Sequence, residues 1–412
     1  MSSRRVIVVG GGAAGFFAAI TCAEAMPEAE VMVLEKGPQF LTKVRISGGG
    51  RCNVTYACFD AREFATQYPR GEQELIAPLQ RFDAGDTVTW FESRGVKLKV
   101  ESDGRMFPTT DSSQTVIDCL LRAAKGANVK LLLNRGVESV VRHKNGEFKL
   151  ALANGESLLC HRLLLATGGC RTAAGGHLAV SLGHTLEAPV PSLFTFHIDV
   201  PWLRELAGIS VASVEASVPG TRLRERGPLL VTHWGLSGPV ILRLSAWGAR
   251  QFHHLDYRFT LQVNWLPDLA GEKIAERFRG LRDREPARLV VNTPLAALPV
   301  RLWEQLVLAA GVRRDTRWAS LARGAQHRLV EQLLRTEFQV SGKSLNKDEF
   351  VTCGGVRLSE VDFSTMESRT CPGLYFAGEL LDVDGITGGF NFQAAWTTGW
   401  IAGRAMGGES WP

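Results

Sequence analysis

Three glycines, Gly10, Gly12 and Gly15, follow the short β-branched run Arg4 to Val9 and open a helix-forming stretch. Their G-x-G-x-x-G spacing suits a dinucleotide pyrophosphate. The first glycine permits a tight turn, the second lets backbone amides approach the anion, and the third allows the helix to pack on the strand. The helix N-terminus then presents unpaired N–H groups. A second apolar run, Val31 to Leu34, ends at Glu35, 20 residues past Gly15. An acid there accepts hydrogen bonds from an adenosine ribose. Arg4-Arg5 before the uncharged run Val6 to Ala23 also matches a twin-arginine export signal or a membrane span. Cleavage near Ala23-Glu24-Ala25 would destroy the fingerprint, however, and adjacent glycines make a poor membrane helix. No other uncharged stretch is long enough to span a bilayer, so a soluble, cytoplasmic protein is expected.

The far end of the chain carries a second chemical signal, GLYFAGELLDVDGITGGFNFQAAW. An apolar strand delivers Gly378 and Glu379 at its carboxyl end, where α/β sheets bind ligands. Gly388-Gly389 then open a helix beginning near Asn391. A helix N-terminus aimed at a flavin ring stabilises the negative charge that develops at N1 and the C2 carbonyl on reduction. The plainer reading is a glycine turn entering a core helix; beside the N-terminal fingerprint, the cofactor reading is favoured. Between these ends lies the glycine-rich loop FLTKVRISGGGRCNVT, Phe40 to Thr55.

SGGGRCN with Lys43 before it, THWGLSGP (Thr232 to Pro239), and the series VTCGGV, MES and GLYFAGELLDVDGITGGFN together resemble the YhiN/BaiN-like flavoproteins. These belong to the wider glutathione-reductase and fumarate-reductase superfamily of FAD enzymes. The resemblance covers nearly the whole chain. It implies an α/β fold in which a discontinuous Rossmann-like FAD-binding domain (1–190 and 346–412) is interrupted by an insert (191–345) with a β-barrel-like part and a helical part. It also implies FAD contacts. Ala14 and Gly15 are expected at the pyrophosphate and Glu35, followed by Lys36, at the adenosine ribose. Lys43, Ser47, Gly48, Gly50, Arg51, Cys52 and Asn53 are expected along the pyrophosphate-to-flavin stretch. Val137 is expected to read the adenine through its backbone, and Glu379 to reach the ribitol or pyrophosphate through water. Gly389, Asn391 and Phe392 are expected at the isoalloxazine edge. Ala166-Thr167-Gly168 matches the A-T-G strand end that crosses near the cofactor.

Candidates for the reaction itself are fewer. Cys52 is a candidate redox thiol against the commoner structural role. Arg51 is a candidate clamp for a substrate carboxylate. His233, beside Trp234, is a candidate proton donor reaching a cleft between insert and FAD domain, with a buried histidine bonded to backbone as the alternative. The middle of the chain, Pro191 to Asn346, holds no second glycine fingerprint, and the spacing from Gly168-Gly169 to Gly175-Gly176 does not fit one. No C-x-x-x-x-C motif is present; Cys52 and Cys58 are six apart. These absences argue against a disulfide reductase, and a nicotinamide donor must bind transiently over the flavin.

The elements that position these residues read as follows. Helical patterns run from Asp60 to Phe82 and Ala84 to Arg94. A strand at Val96–Val100 leads to a turn and then a helix from Ser113 to Ala124, capped by Asp111 or Ser112. Strand-like runs follow at Val129–Leu133, Val137–Val141, Phe148–Leu152 and Leu163–Ala166. Beyond Pro189 and Pro191, Tyr257, Phe259, Leu261 and Val263 alternate as a half-buried antiparallel strand. Ile274/Phe278/Leu281, Leu302/Leu306 and Leu329/Leu333 repeat at helical spacing. The α/β character returns at Val351 to Gly355, in the strand Gly373–Ala377 and in a helix from Asn391 to Ala405.

Composition bounds the rest. The 412 residues, 45% hydrophobic and 22% charged, suit a globular protein of two or three cores. The 8 cysteines are scattered without C-x-x-C pairs, which indicates no zinc site and a reducing compartment. The net charge of +5 is uneven: residues 191–345 hold 21 Lys and Arg against 14 Asp and Glu, and most of those bases are arginine. Such a surface is either simply solvated or attracts an anion. The expected function is a soluble FAD oxidoreductase that moves hydride between flavin and a small organic substrate, with NAD(P)H or another reductant. The alternatives are an oxidase of an amine-type substrate and a tRNA-associated flavoprotein. The last stands behind a small-molecule partner, because the clusters Arg222, Arg224, Arg226 and Arg313, Arg314, Arg317 lack interleaved exposed aromatics apart from Trp318.

Overall fold

A computed structural model describes residues 4–170, 176–344 and 351–408. The chain divides into two compact units, residues 1–192 with 347–412, and residues 193–346. The expected boundary at 345/346 lies outside the described residues, as does Gly175.

In the first unit the β-branched runs form a seven-stranded sheet. Its order is Val361–Asp362, Glu367–Ser368, Leu374–Phe376, Arg162–Leu165, β1 (Arg5–Val9), β2 (Glu30–Leu34) and Lys130–Leu132. The five strands from Leu374–Phe376 to Lys130–Leu132 pair in parallel. Apart from the edge strand Lys130–Leu132, they are buried on both faces and need the continuous apolar character that the sequence shows. Helix α1 (Ala13–Ala25) lies against the C-terminal helix Phe390–Met406. A Cβ on Gly399 would come within 2.6 Å of the Ala14 carbonyl, and one on Gly403 within 2.6 Å of the Ala18 carbonyl. Contacts advance along both helices in the same direction, so the helices are parallel and their N-termini point the same way. With Gly399 beside Ala14, the C-terminal helix starts eight residues, about 12 Å, beyond the start of α1.

Phe40 to Thr55 is not loop throughout. Residues Thr42–Gly50 form a broken helix (α2) in which Ser47 is extended and Gly48 and Gly49 are left-handed. The helical run from Asp60 is likewise split into Ala61–Ala65 and Glu72–Arg81. Ser112, not Asp111, caps the helix Ser113–Gly126 through the Gln114 N–H.

The second unit contains a closed six-stranded barrel. Around it run Thr195–Ile198, Gly235–Ser237, Arg224–Thr232, Ser210–Ser217, Phe259–Asn264 and Thr336–Ser344, with the last paired back to the first. Tyr257 falls outside its expected strand, in a left-handed turn at φ 58°. The helical part does not simply follow the strands. It is an excursion between Phe259–Asn264 and the closing strand Thr336–Ser344, comprising Gly271–Arg284, Val300–Ala309 and Arg323–Leu334. Trp318 belongs to its core: it is fully buried, and its indole N–H donates to Thr293 Oγ1 at 3.1 Å. Among the described residues no helix is long and apolar enough to cross a membrane.

Candidate functional site

The carboxyl ends of neighbouring parallel strands bring the sequence-predicted residues into one row. The Gly10 N–H donates to Leu34 O at 2.8 Å, the Ala166 N–H to Val9 O at 2.8 Å and the Ala377 N–H to Leu165 O at 3.2 Å. Glu35, Gly10, Ala166 and Ala377 are therefore successive positions across the sheet edge. Gly10 is required by the protein itself, since φ is +113° and a Cβ would sit 2.2 Å from Ala166 O. Gly15 is too: its Cβ would meet Gly10 O at 2.0 Å.

Gly12 is different. Its backbone is extended (φ −93°, ψ −168°), and a Cβ there meets nothing within 4 Å. No internal contact calls for glycine at that place, whereas close approach of a pyrophosphate does. The first-turn N–H groups of α1 lie just beyond, without intrahelical acceptors. Glu35 is preset for its expected partner, with Oε2 accepting the Gly11 N–H at 2.9 Å and Oε1 the Gly37 N–H at 2.8 Å. The Arg135 N–H donates to Glu35 O, and a Cβ on Gly136 would lie 3.5 Å from the Cβ of Lys36. This contact holds Val137, the first residue of the strand Val137–Arg142, close to the end of β2.

On the other side of the glycine turn, Lys43 Nζ pairs with Glu379 Oε2 at 2.5 Å, and Glu379 Oε1 accepts the Thr352 N–H at 3.0 Å. Gly378 sits at φ +71° and donates to Thr398 Oγ1 at 3.0 Å. The loop Ser47 to Asn53 runs beside this pair. Gly50 takes φ +84° and a Cβ on it would meet nothing within 4 Å; Gly168 is equally open at φ +78°. Asn53 is buried, and its Oδ1 has no hydrogen-bond partner. A flavin, whose ring carries an N–H donor, suits such an orphaned acceptor, and the open glycines suit its ribityl and pyrophosphate. The residues present fit FAD.

The C-terminal helix begins at Phe390 after Gly388 (φ +133°) and Gly389 (φ +99°); a Cβ on Gly389 would meet the Thr55 carbonyl at 2.7 Å. Asn391 is engaged internally, with both amide atoms bonded to the Gly385 backbone at 2.9 Å. Phe392 stacks on Trp396 with centroids 5.6 Å apart. Three residues that the motifs did not single out hold this helix start. Gln393 Oε1 accepts from Thr55 and Thr87, and Tyr68 donates to Phe390 O at 2.7 Å. Asp384, fully buried, takes a forked ion pair from Arg70, with Nε at 2.5 Å. A buried acid inside the apolar run GELLDVDG was the available signal.

The reaction candidates fare less evenly. Cys52 is fully buried in a left-handed conformation (φ 62°), and burial pushes its thiol up to about 12. That places it far from thiolate chemistry at neutral pH. The Arg51 guanidinium is already committed, at 2.6 Å from Glu101 and 3.6 Å from Asp111, and lies 4.0 Å over the Phe107 ring. His233 is exposed, not buried, at the turn between Arg224–Thr232 and Gly235–Ser237.

Comparison with known proteins agrees with this geometry. The chain is 33% identical over 97% of its length to a ribosomal RNA dihydrouridine synthase of Escherichia coli, of which the match covers 97%. It is 29% identical, again over 97%, to a 3-dehydro-bile acid delta(4,6)-reductase of Clostridium scindens, of which 98% is covered. Among solved structures, a 3-ketosteroid-delta4-(5alpha)-dehydrogenase of Rhodococcus jostii shares the fold at a TM-score of 0.52 and 16% identity, covering 98% of this chain and 97% of its own. The chain is an FAD-dependent oxidoreductase. With the family model described as the HI0933-like protein Rossmann domain matching residues 4–405, it belongs to the HI0933-like family.

Proposed function

We propose that this protein adds hydrogen across a carbon–carbon double bond polarised by a neighbouring carbonyl, and that its substrate is a uridine in RNA. The observation that carries the reading is the 33% identity, over nearly the full length of both chains, to the Escherichia coli enzyme named for making dihydrouridine in ribosomal RNA. The Clostridium relative is named for a different molecule but for the same kind of bond, an alkene conjugated with a ketone. Charge supports the RNA substrate over a small neutral one: residues 191–345 carry 21 basic against 14 acidic side chains. On Gly271–Arg284 an open groove is lined by Lys273, Arg277 and Arg284 with Glu276. Part of the arginine excess is internally paired, as Arg224 with Glu215 and Arg226 with Asp268.

In this reading residues 1–190 and 346–412 hold the cofactor. When bound, FAD supplies a two-electron carrier that gives hydride to the carbon β to the carbonyl. The chain's residues then have separate tasks. Glu35, the amides at Gly12 to Gly15 and the Lys43–Glu379 pair bind the dinucleotide. Asn53 orients the ring, and the N-terminus of the Phe390 helix stabilises negative charge on its pyrimidine end. The proton for the α carbon comes from a donor beside the bound substrate. NAD(P)H serves as the external reductant.

The test is anaerobic. Holoprotein reduced with NADPH, or with dithionite where NADPH is inert, is mixed with an unmodified ribosomal RNA transcript. Flavin reoxidation and dihydrouridine by nucleoside mass spectrometry are then followed. One dihydrouridine per reduced flavin is expected, with binding that weakens steeply as salt rises. Reoxidation by a 3-oxo-delta4,6 steroid but not by RNA would replace the substrate, and reoxidation only by oxygen would end the reading.

A further inference from the structure

An indole left in water needs something to hold it there, because its large apolar surface favours burial. Trp234 is 65% exposed, the most exposed large apolar side chain among the described residues. It stands on a rigid turn. Its carbonyl accepts the Ile198 N–H at 2.9 Å, and its own N–H reaches Thr232 Oγ1 at 3.3 Å. The next residue, Gly235, has φ +144°, and a Cβ there would lie 2.3 Å from Phe196 O. The strand crossing at this point therefore admits no side chain, and the tryptophan is presented by a fixed backbone.

Behind the indole lies the His197 ring, 5.8 Å away between centroids and 16° from parallel. In the barrel register His197 stands between Gly235 on one neighbouring strand and Gly342 on the other. Neither flanking glycine contributes a side chain over the ring. His197 Nε2 is buried and has no hydrogen-bond partner. A stacked pair of flat rings, glycine-flanked and with the outer ring in water, is a surface shaped for another flat ring.

In sequence, the clusters Arg222, Arg224, Arg226 and Arg313, Arg314, Arg317 have no aromatic beside them except Trp318. Trp318 is in fact buried, whereas Trp234, at 65%, is more exposed than the unit's other solvent-facing tryptophan, Trp247, at 38%. An aromatic platform in a basic unit is the combination that binds single-stranded nucleic acid: cations track the backbone, and each base offers a face to stack. We propose that Trp234, backed by His197, is a stacking platform for one base of the RNA strand that carries the target uridine. This rests on the RNA reading above.

The test uses holoprotein and a fluorescently labelled uridine-containing single-stranded RNA, with a second copy carrying 2-aminopurine in place of one purine. Trp234→Ala and Trp234→Leu should weaken binding by about tenfold or more, while Trp234→Phe keeps most of it. The wild type should quench 2-aminopurine, and the Ala and Leu variants should not. Flavin content and circular dichroism check that each variant is folded. If wild type binds RNA and the Ala and Leu variants bind within about twofold with quenching intact, the platform is overturned and the RNA reading stands. If wild type shows no salt-dependent RNA binding, both fall.

Discussion

Asp384 and Cys52 show how the surroundings of a residue override its type. Asp384 is taken out of water beside Arg70; burial raises its pKa and the guanidinium lowers it, and burial prevails, to about 6 against an ordinary 3.8. The folded chain thus holds a proton there that the unfolded chain gives up first. Its stabilising contribution is complete below 3.8 and is lost as pH rises through about 6. We expect Asp384→Asn to flatten the pH dependence of unfolding in that window, measured by urea titration at several pH values. Replacing Asp384 with Ala, which removes the buried carboxylate facing Arg70, should cost about 3–5 kcal/mol. Cys52 makes a simpler case. Of the eight cysteines, only Cys58 is less than fully buried, so brief native alkylation followed by peptide mapping should label Cys58 first and leave Cys52 intact. Early labelling of Cys52 would reopen its redox candidacy.

At the scale of elements, the decisive feature is the parallel contact between α1 and the C-terminal helix. It depends on Gly399 and Gly403, each within 2.6 Å of an α1 carbonyl if given a Cβ. Through this contact, residues nearly 400 positions apart in sequence place two helix N-termini on one side of the sheet. Gly403→Val should force the helices apart, costing about 1–3 kcal/mol, and should lower retained flavin in the same preparation. Flavin retention is the more telling readout, since loss of stability alone does not require the N-termini to shift. Both helices were legible from their motifs, and so was the apolar strand before Glu379. Their close approach was not: Gly399 and Gly403 read equally well as weak points of a long helix.

At the scale of the whole molecule, the two units have separate cores. That of residues 193–346 is closed by the barrel and by Trp265, Trp303 and Trp318. All the cofactor-binding candidates lie in the other unit. A ligand that binds one folded unit stabilises that unit by mass action. Calorimetry of holoprotein and flavin-stripped protein should therefore show two transitions, of which only one moves with added FAD. A barrel transition that moved equally would show that the units unfold as one.

The sequence by itself determined the cofactor class, the strand–turn–helix at Gly10 to Gly15, the acid at Glu35 and the interruption of the α/β pattern. Each of these is local: a glycine turn, a β-branched run and a 3.6-residue repeat are dictated by backbone sterics and by burial of one face. The tertiary structure decided what depends on contacts across the chain. It closed the barrel with Thr336–Ser344, a strand that comes after the helical repeats and to which the sequence pattern assigned no element. It committed Arg51 to Glu101, removed Cys52 from solvent, buried Trp318 and left Trp234 in water. Exposure and pairing are properties of neighbours distant in sequence, and residue type or spacing alone does not encode them.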